Sequence, residues 1–209
     1  MKIKVCGMKY PDNIEHLSLL PIDYMGFIFY PKSLRYIDKI LPETILLQTK
    51  DILRVGVFVN EKIESLFNRI EKYKLDVIQL HGSEHPKYCS DLIKSFPNIK
   101  IIKAFNVSSP NDLHSTKEYN SVCDFFLFDT KSTQYGGSGK KFDWSLMDFY
   151  TGELPFFLSG GISMEDVGKI KEIKHPKLYG LDLNSKFELE PGRKNIELIK
   201  KFIEEINYE

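Results

Sequence analysis

Five residues in this chain have side chains suited to proton transfer or anion binding, and each stands at or just after a short apolar run. Cys6 offers a thiol, Arg35 a guanidinium, His81 an imidazole, and Asp129 and Asp182 carboxyls. A thiol and a carboxyl can serve as a base and an acid in one reaction, and an arginine can hold a carboxylate with two parallel hydrogen bonds. Three small-residue segments accompany them: Gly136-Gly137-Ser138-Gly139, Ser159-Gly160-Gly161 and Asn184-Ser185. Glycines let backbone N–H groups approach an anion closely, and a helix N-terminus adds a favourable dipole. Taken singly, each residue also has a plainer reading. Cys6 could be a small core hydrophobe, His81 a loop cap, Arg35 a solvated surface charge, and the two aspartates Asx-type braces of loop backbone.

The elements that must position these residues decide between the readings. Eight apolar runs predict strands at Lys2–Cys6, Tyr24–Phe29, Leu53–Phe58, Val77–Leu80, Lys100–Lys103, Phe125–Phe128, Pro155–Leu158 and Leu178–Leu181. They are short, rich in Ile, Val, Phe and Leu, and mostly lack period-two alternation, as strands buried on both faces do. Helical spacing lies between them, at Ile63, Leu66, Phe67 and Ile70, at Val167, Ile170 and Ile173, and at Ile196, Ile199, Phe202, Ile203 and Ile206. Helix starts are predicted at Pro11-Asp12, at Asn60-Glu61, and at Ser163 with Glu165-Asp166 behind it. The sixth helix, around Trp144–Phe149, is the weakest.

Eight strand–helix alternations predict an α/β fold, a single-domain (β/α)8 TIM barrel over residues 1–209, with an open doubly wound sheet as the alternative. In a barrel the segments following the strands gather at one mouth, which is where all five residues fall. Phosphate is often bound by the loops after the seventh and eighth strands. Ser159-Gly160-Gly161 and Asn184-Ser185 hold those positions.

Composition narrows the partners. Of 209 residues, 42% are hydrophobic, enough for a sizeable core, and 29 basic residues balance 29 acidic ones. A neutral chain has no broad attraction for nucleic acid or an anionic membrane, so neither is expected as a partner and any anion must be bound in a local pocket. The three cysteines, Cys6, Cys89 and Cys123, are widely spaced and suggest neither a disulfide framework nor a metal site. No signal-peptide pattern or apolar run of membrane length is seen, which predicts a cytoplasmic protein. The Asn106-Val107-Ser108 sequon is then a chance match. The helix faces mark no interface; a monomer is expected, with a homodimer as the alternative.

The strings Lys4-Val5-Cys6-Gly7-Met8, Gly26-Phe27-Ile28-Phe29, Gly56-Val57-Phe58-Val59, Gln79-Leu80-His81-Gly82, Gly136-Gly137-Ser138-Gly139-Lys140, Ser159-Gly160-Gly161-Ile162 and Gly180-Leu181-Asp182-Leu183-Asn184-Ser185 resemble, in this order, the phosphoribosylanthranilate isomerase family. The resemblance covers nearly the whole chain. It implies an Amadori rearrangement in tryptophan biosynthesis, with no metal or organic cofactor. It implies Cys6 as the base that removes the proton from sugar C2′ and Asp129 as the acid that protonates the ring oxygen. It further implies Arg35 against the anthranilate carboxylate, His81 and Asp182 as supporting pocket residues, and a phosphate against Gly137, Ser138, Gly160, Gly161, Asn184 and Ser185. A free thiol ionises near pH 8.5, so the site must lower that value or work with a small thiolate fraction. An aspartate acting as acid should have its pKa raised. One departure is visible: the family's usual Ser-Pro-Arg is Ser33-Leu34-Arg35 here, which removes a fixed φ beside the arginine.

Two other phosphate-binding barrels fit less well. A metal-dependent ribulose-phosphate epimerase would need several histidines and aspartates at strand ends, where this chain offers one histidine. A histidine-pathway sugar isomerase is expected to carry an aspartate where Cys6 stands. A non-catalytic phosphate-binding barrel would keep the glycine-rich rim and lose the acid–base pair.

Overall fold

The computed structural model describes residues 1–37, 41, 49, 51–130 and 143–208. Eight parallel strands close into a barrel: β1 (Lys2–Cys6), β2 (Tyr24–Ile28), β3 (Leu53–Phe58), β4 (Val77–Leu80), β5 (Lys100–Val107), β6 (Phe125–Thr130), β7 (Phe156–Leu158) and β8 (Leu178–Leu183). Closure is made at β1, which pairs with β2 through Cys6↔Gly26 and with β8 through Lys4↔Asp182. A two-stranded antiparallel hairpin, β9 (Glu188–Glu190) and β10 (Arg193–Lys194), follows the barrel. The doubly wound alternative is thereby excluded.

Several boundaries differ from the sequence expectation. β5 runs on to Val107, β6 to Thr130 and β8 to Leu183, so Asp129 and Asp182 sit inside the last turns of their strands. The ladder continues through these polar residues because their neighbours pair with them, as Asn106 does with Asp129. β2 stops at Ile28, and β7 starts one residue after Pro155, which has no N–H for the ladder.

The described helices are α1 (Pro11–Ser18), α2 (Ile63–Tyr73), α3 (Pro86–Ser95), α4 (Val167–Glu172) and α5 (Ile196–Asn207). Proline opens α1 and α3, where its missing N–H is one the helix leaves unpaired anyway. α2 buries Leu66, Ile70 and Tyr73, one stripe at helical spacing, and ends on Lys74 in the left-handed region (φ 49°). Its start corrects the expected Asn60-Glu61: Lys62 is the N-cap. Asn60 takes φ 50° and its side-chain oxygen instead accepts the Ser83 N–H at 2.8 Å in the next loop. Ser163 and Asp166 form a capping box, but the first turn behind it is 3-10, and α4 begins only at Val167. The weak sixth segment is a 3-10 turn at Trp144–Phe149. A further 3-10 stretch spans Pro110–Tyr119, where only Leu113 and Thr116 are buried.

Two hydrophobic cores follow from strands buried on both faces. The larger lies between strands and helices and includes Ile3, Val5, Phe27, Phe126, Phe128 and Ile199. The smaller fills the barrel with Val55, Val57, Val77, Ile102, Ala104 and Leu127. At the N-terminal end of the strands, Tyr24, Phe125, Phe157 and Tyr179 form an aromatic floor. Ring centroids there lie 4.8 Å apart for Phe125–Tyr179 and 5.2 Å for Tyr24–Phe157, and the two tyrosine oxygens are 3.0 Å apart.

The pairing of β7 and β8 skips one residue: Phe156 faces Leu178, then Phe157 faces Gly180. Tyr179 is the extra residue of this bulge. It explains how Tyr179 and Asp182, three positions apart, both face the interior of the barrel.

Candidate active site

The C-terminal ends of the strands surround a cavity whose wall includes Cys6 from β1, Ile28 from β2, Gln79 and His81 at β4, Asp129 from β6 and Asp182 from β8. Tyr30 and Ser33 of the loop after β2, Ser159 after β7 and Asn184 after β8 complete the rim. The thiol and the carboxyl proposed as base and acid therefore open into one space, although 123 residues separate Cys6 from Asp129.

Cys6 is placed by the alternation of β1, which points residues 4 and 6 inward and Ile3 and Val5 outward. Its partner across the ladder, Gly26, has no side chain, and the sulfur uses that space: a Cβ built on Gly26 would lie 2.7 Å from Sγ. Beneath the thiol lies a buried ion pair. Lys4 Nζ donates to Asp182 Oδ1 at 2.7 Å, an arrangement set by their pairing across β1 and β8. Burial pushes the Cys6 thiol up from its ordinary value, while the Lys4 and Lys194 ammonium groups pull it back. Burial likewise raises the Asp182 carboxyl against the opposing charge of Lys4, and the neighbouring Asp129 adds to the rise. Lys4 remains protonated: its burial is outweighed by Asp182 and Cys6.

His81 is neutral. Burial, with Lys103 adding repulsion, pushes its pKa down to about 4. Nδ1 lies 2.9 Å from the Gln79 side-chain amide, and Nε2 faces Asp129 Oδ2 at 3.6 Å. The loop carrying His81 is tied from below by Lys103 of β5, whose buried Nζ donates to Gly82 O at 2.7 Å and pairs with Glu84 at 3.3 Å. Glu84 in turn accepts the N–H groups of Asn60 and Gly82.

Arg35 is not a solvated surface charge. It is 9% exposed, and its Nε and Nη2 donate to both oxygens of Glu188 at 2.8, 3.0 and 2.6 Å. It borders the cavity without forming its wall. Its stem and the Asn184 side chain both pack over Gly7, whose φ of 82° and 2.7 Å approach to Arg35 Cδ leave no room for a Cβ. Glu188 also accepts from Lys194 at 2.7 Å and from the Gly192 N–H at 3.0 Å. Burial alone would raise its pKa; Arg35 and Lys194 outweigh that and hold it below the ordinary carboxylate range. Lys194 is fully buried, donates to Asn184 Oδ1 at 2.7 Å, and is pushed down to about 8 by burial.

Of the expected anion-binding residues, Ser159 and Asn184 line the cavity. Gly160 and Gly161 follow Ser159 with φ of 90° and 76°, conformations that glycine adopts without strain. Ser185 begins the 3-10 turn after β8. Gly137 and Ser138 lie outside the described residues. Sequence reasoning missed Lys4, Glu188 and Lys194. Lys4 carried a readable signal, a charge two residues before Cys6 and so on the same strand face; Glu188 and Lys194 carried none.

A family model described as N-(5'-phosphoribosyl)anthranilate (PRA) isomerase matches residues 3–205. The N-(5'-phosphoribosyl)anthranilate isomerase of Parabacteroides distasonis is 46% identical over 208 residues, 99% of this chain and 93% of that protein. The crystal structure of phosphoribosyl anthranilate isomerase from Thermotoga maritima is 34% identical, with a TM-score of 0.83 over 99% of this chain and 98% of its own. Another such isomerase structure, 31% identical with a TM-score of 0.78 over 99% of this chain and 98% of its own, holds reduced 1-(o-carboxyphenylamino)-1-deoxyribulose 5-phosphate. The chain belongs to the N-(5'-phosphoribosyl)anthranilate isomerase family.

Proposed function

We propose that this chain catalyses the Amadori rearrangement of N-(5-phospho-D-ribosyl)anthranilate to 1-(2-carboxyphenylamino)-1-deoxy-D-ribulose 5-phosphate in L-tryptophan biosynthesis, with Cys6 as general base and Asp129 as general acid. The observation that carries the reading is the opening of both groups into one cavity rimmed by Ser159 and Asn184.

Asp129 gives its proton to the ribose ring oxygen as the C1′–O bond breaks, and the nitrogen lone pair forms the C1′=N bond of a Schiff base. That cation acidifies C2′–H. The small fraction of Cys6 present as thiolate takes this proton, the C–H electrons form C1′=C2′, and the nitrogen recovers its lone pair. The resulting enolamine tautomerises to the ketone, so no atom is gained or lost. Neutral His81 lies 3.6 Å from the Asp129 carboxyl and serves as a supporting pocket residue. The phosphate rests on Ser159 and the backbone of Gly160 and Gly161, with Asn184 and Ser185 after the neighbouring β8 and with Gly137 and Ser138 contributing. Arg35 binds the anthranilate carboxylate.

The test is turnover of freshly made substrate, followed as loss of anthranilate-type fluorescence. Cys6→Ala and Asp129→Asn should each lower it by about 10²-fold or more, the scale of positioned acid–base groups. Wild-type turnover in either variant removes that residue from the mechanism. A cytoplasmic monomer completes the proposal; sedimentation of the purified chain at the dimer mass would overturn its second part.

A further inference from the structure

We propose that Glu188 is the positioning residue for Arg35: delivered by the β9–β10 hairpin, its carboxylate grips the guanidinium by the Nε–Nη2 edge and turns the opposite edge towards the aromatic carboxylate of the substrate. The inference rests on the reading of Arg35 as the carboxylate anchor and adds the group that makes the anchor rigid.

Four observations support it. First, the grip is bidentate, with three contacts of 2.6 to 3.0 Å, the geometry in which an arginine fork and a carboxylate share a plane. Second, Glu188 is itself held from two further sides, by Lys194 Nζ at 2.7 Å and the Gly192 N–H at 3.0 Å. A carboxylate fixed at three points is a rigid support for a long side chain. Third, the loop holds the Arg35 backbone, through Tyr36 N–H to Ser33 O at 3.0 Å, Ile37 N–H to Ile28 O at 2.9 Å and Arg35 N–H to Ser33 Oγ at 3.1 Å. The guanidinium at the end of the side chain is held instead by Glu188. Fourth, five guanidinium N–H groups exist and Glu188 uses those of one edge. The N–H groups of the other edge are not used by Glu188 and can serve a second carboxylate.

Charge also fits. Glu188 lies between two cations, Arg35 and Lys194, so the cluster keeps one net positive charge for an anionic ligand. Lys194 is spent on Glu188 and Asn184 and is fully buried, which leaves Arg35 as the cation of this cluster able to reach a ligand. An ordered arginine binds more tightly than a free one because its rotamers are fixed before the ligand arrives.

The position and charge of Glu188 have opposite expected effects, so the experiment reads a sign. Binding of two ligands is measured by calorimetry: the reduced product analogue, and the same molecule lacking the ring carboxylate. Glu188→Gln removes a negative charge beside Arg35; if only charge mattered, the carboxylate ligand would bind more tightly. Positioning predicts the reverse, a loss of about tenfold for the carboxylate ligand, the lower end for a charge-assisted hydrogen bond, with the ligand lacking it unchanged. Glu188→Asp keeps the charge for Lys194 but shortens the arm, and should show the same selective loss in a protein that stays folded if Glu188→Gln does not. Arg35→Ala serves as reference. If it weakens both ligands equally, the carboxylate-anchor reading fails. If it discriminates between them and the Glu188 variants do not, or if Glu188→Gln tightens binding, the positioning role is refuted.

Discussion

Adding one methyl group at Gly26 would displace the proposed base without changing its chemistry. A Cβ there would lie 2.7 Å from Cys6 Sγ and 3.0 Å from Cys6 Cα, whereas ordinary van der Waals separations begin at 3.4 Å. The sulfur must therefore retreat by about 0.7 Å, the difference between 3.4 and 2.7, or rotate away from its seat. The backbone of Cys6 is paired within the β1–β2 ladder and cannot retreat as freely, so part of the strain is shared with the barrel itself. Overpacking of this kind destabilises a core by about 1–3 kcal/mol, which a barrel of this size should survive. A displacement approaching 1 Å at a reacting atom lowers turnover by up to about 10²-fold. Gly26→Ala should thus lose about 10- to 100-fold in kcat while circular dichroism stays that of the parent. Fluorescence turnover and thermal melting are measured on the same preparation. A folded variant with kcat within about twofold of the parent, well short of that range, would show that the sulfur's position does not govern the reaction, and the base assignment would fall.

Three further outcomes follow from the same geometry. Because burial raises the Cys6 thiol, its alkylation by iodoacetamide should keep accelerating above the ordinary thiol pKa of about 8.5, read by peptide mapping that separates it from Cys89 and Cys123; a plateau below about pH 8 contradicts this. His81 takes up its proton near pH 4 when folded and near 6.5 when unfolded, so the unfolded chain binds more protons between those values; stability should fall as pH drops through this window, by at most about 3 kcal/mol. His81→Gln should flatten that part of the urea-midpoint profile, and an unchanged slope would refute it. Lys103→Met should destabilise the protein by about 3–5 kcal/mol, because it strands the buried Glu84 carboxylate; a urea midpoint matching the parent would show that the pair contributes little.

The parts of the fold that were readable in the sequence are those where burial imposes a uniform demand. Strands covered on both faces are mostly apolar, and the runs at Lys2–Cys6, Leu53–Phe58 and Val77–Leu80 are observed with the boundaries their composition predicts. The same rule misleads where a strand reaches the mouth. Lys103, Asn106, Asp129 and Asp182 interrupt their apolar runs, yet the ladder continues because it needs only backbone. Helices with a full stripe, α2 and α5, were legible; the 3-10 stretch at Pro110–Tyr119 buries too little to show a period. At the site, Cys6, His81, Asp129, Ser159, Asp182 and Asn184 could be gathered in advance because strand ends share one mouth. Glu188 and Lys194 could not. In the sequence they read as two charges in a polar hairpin with Glu190 and Arg193, and only the return of that hairpin against a loop 153 residues earlier buries them.

The aromatic floor has a consequence for traffic and for engineering. With Tyr24, Phe125, Phe157 and Tyr179 packed across the far end, the cavity is a cul-de-sac, and whatever enters past the rim must leave by the same doorway. One turnover has to clear before the next molecule can settle. The same layering separates two design problems. Exchanges among the floor aromatics change the packing of the inner core, whereas exchanges at the rim alter what is admitted.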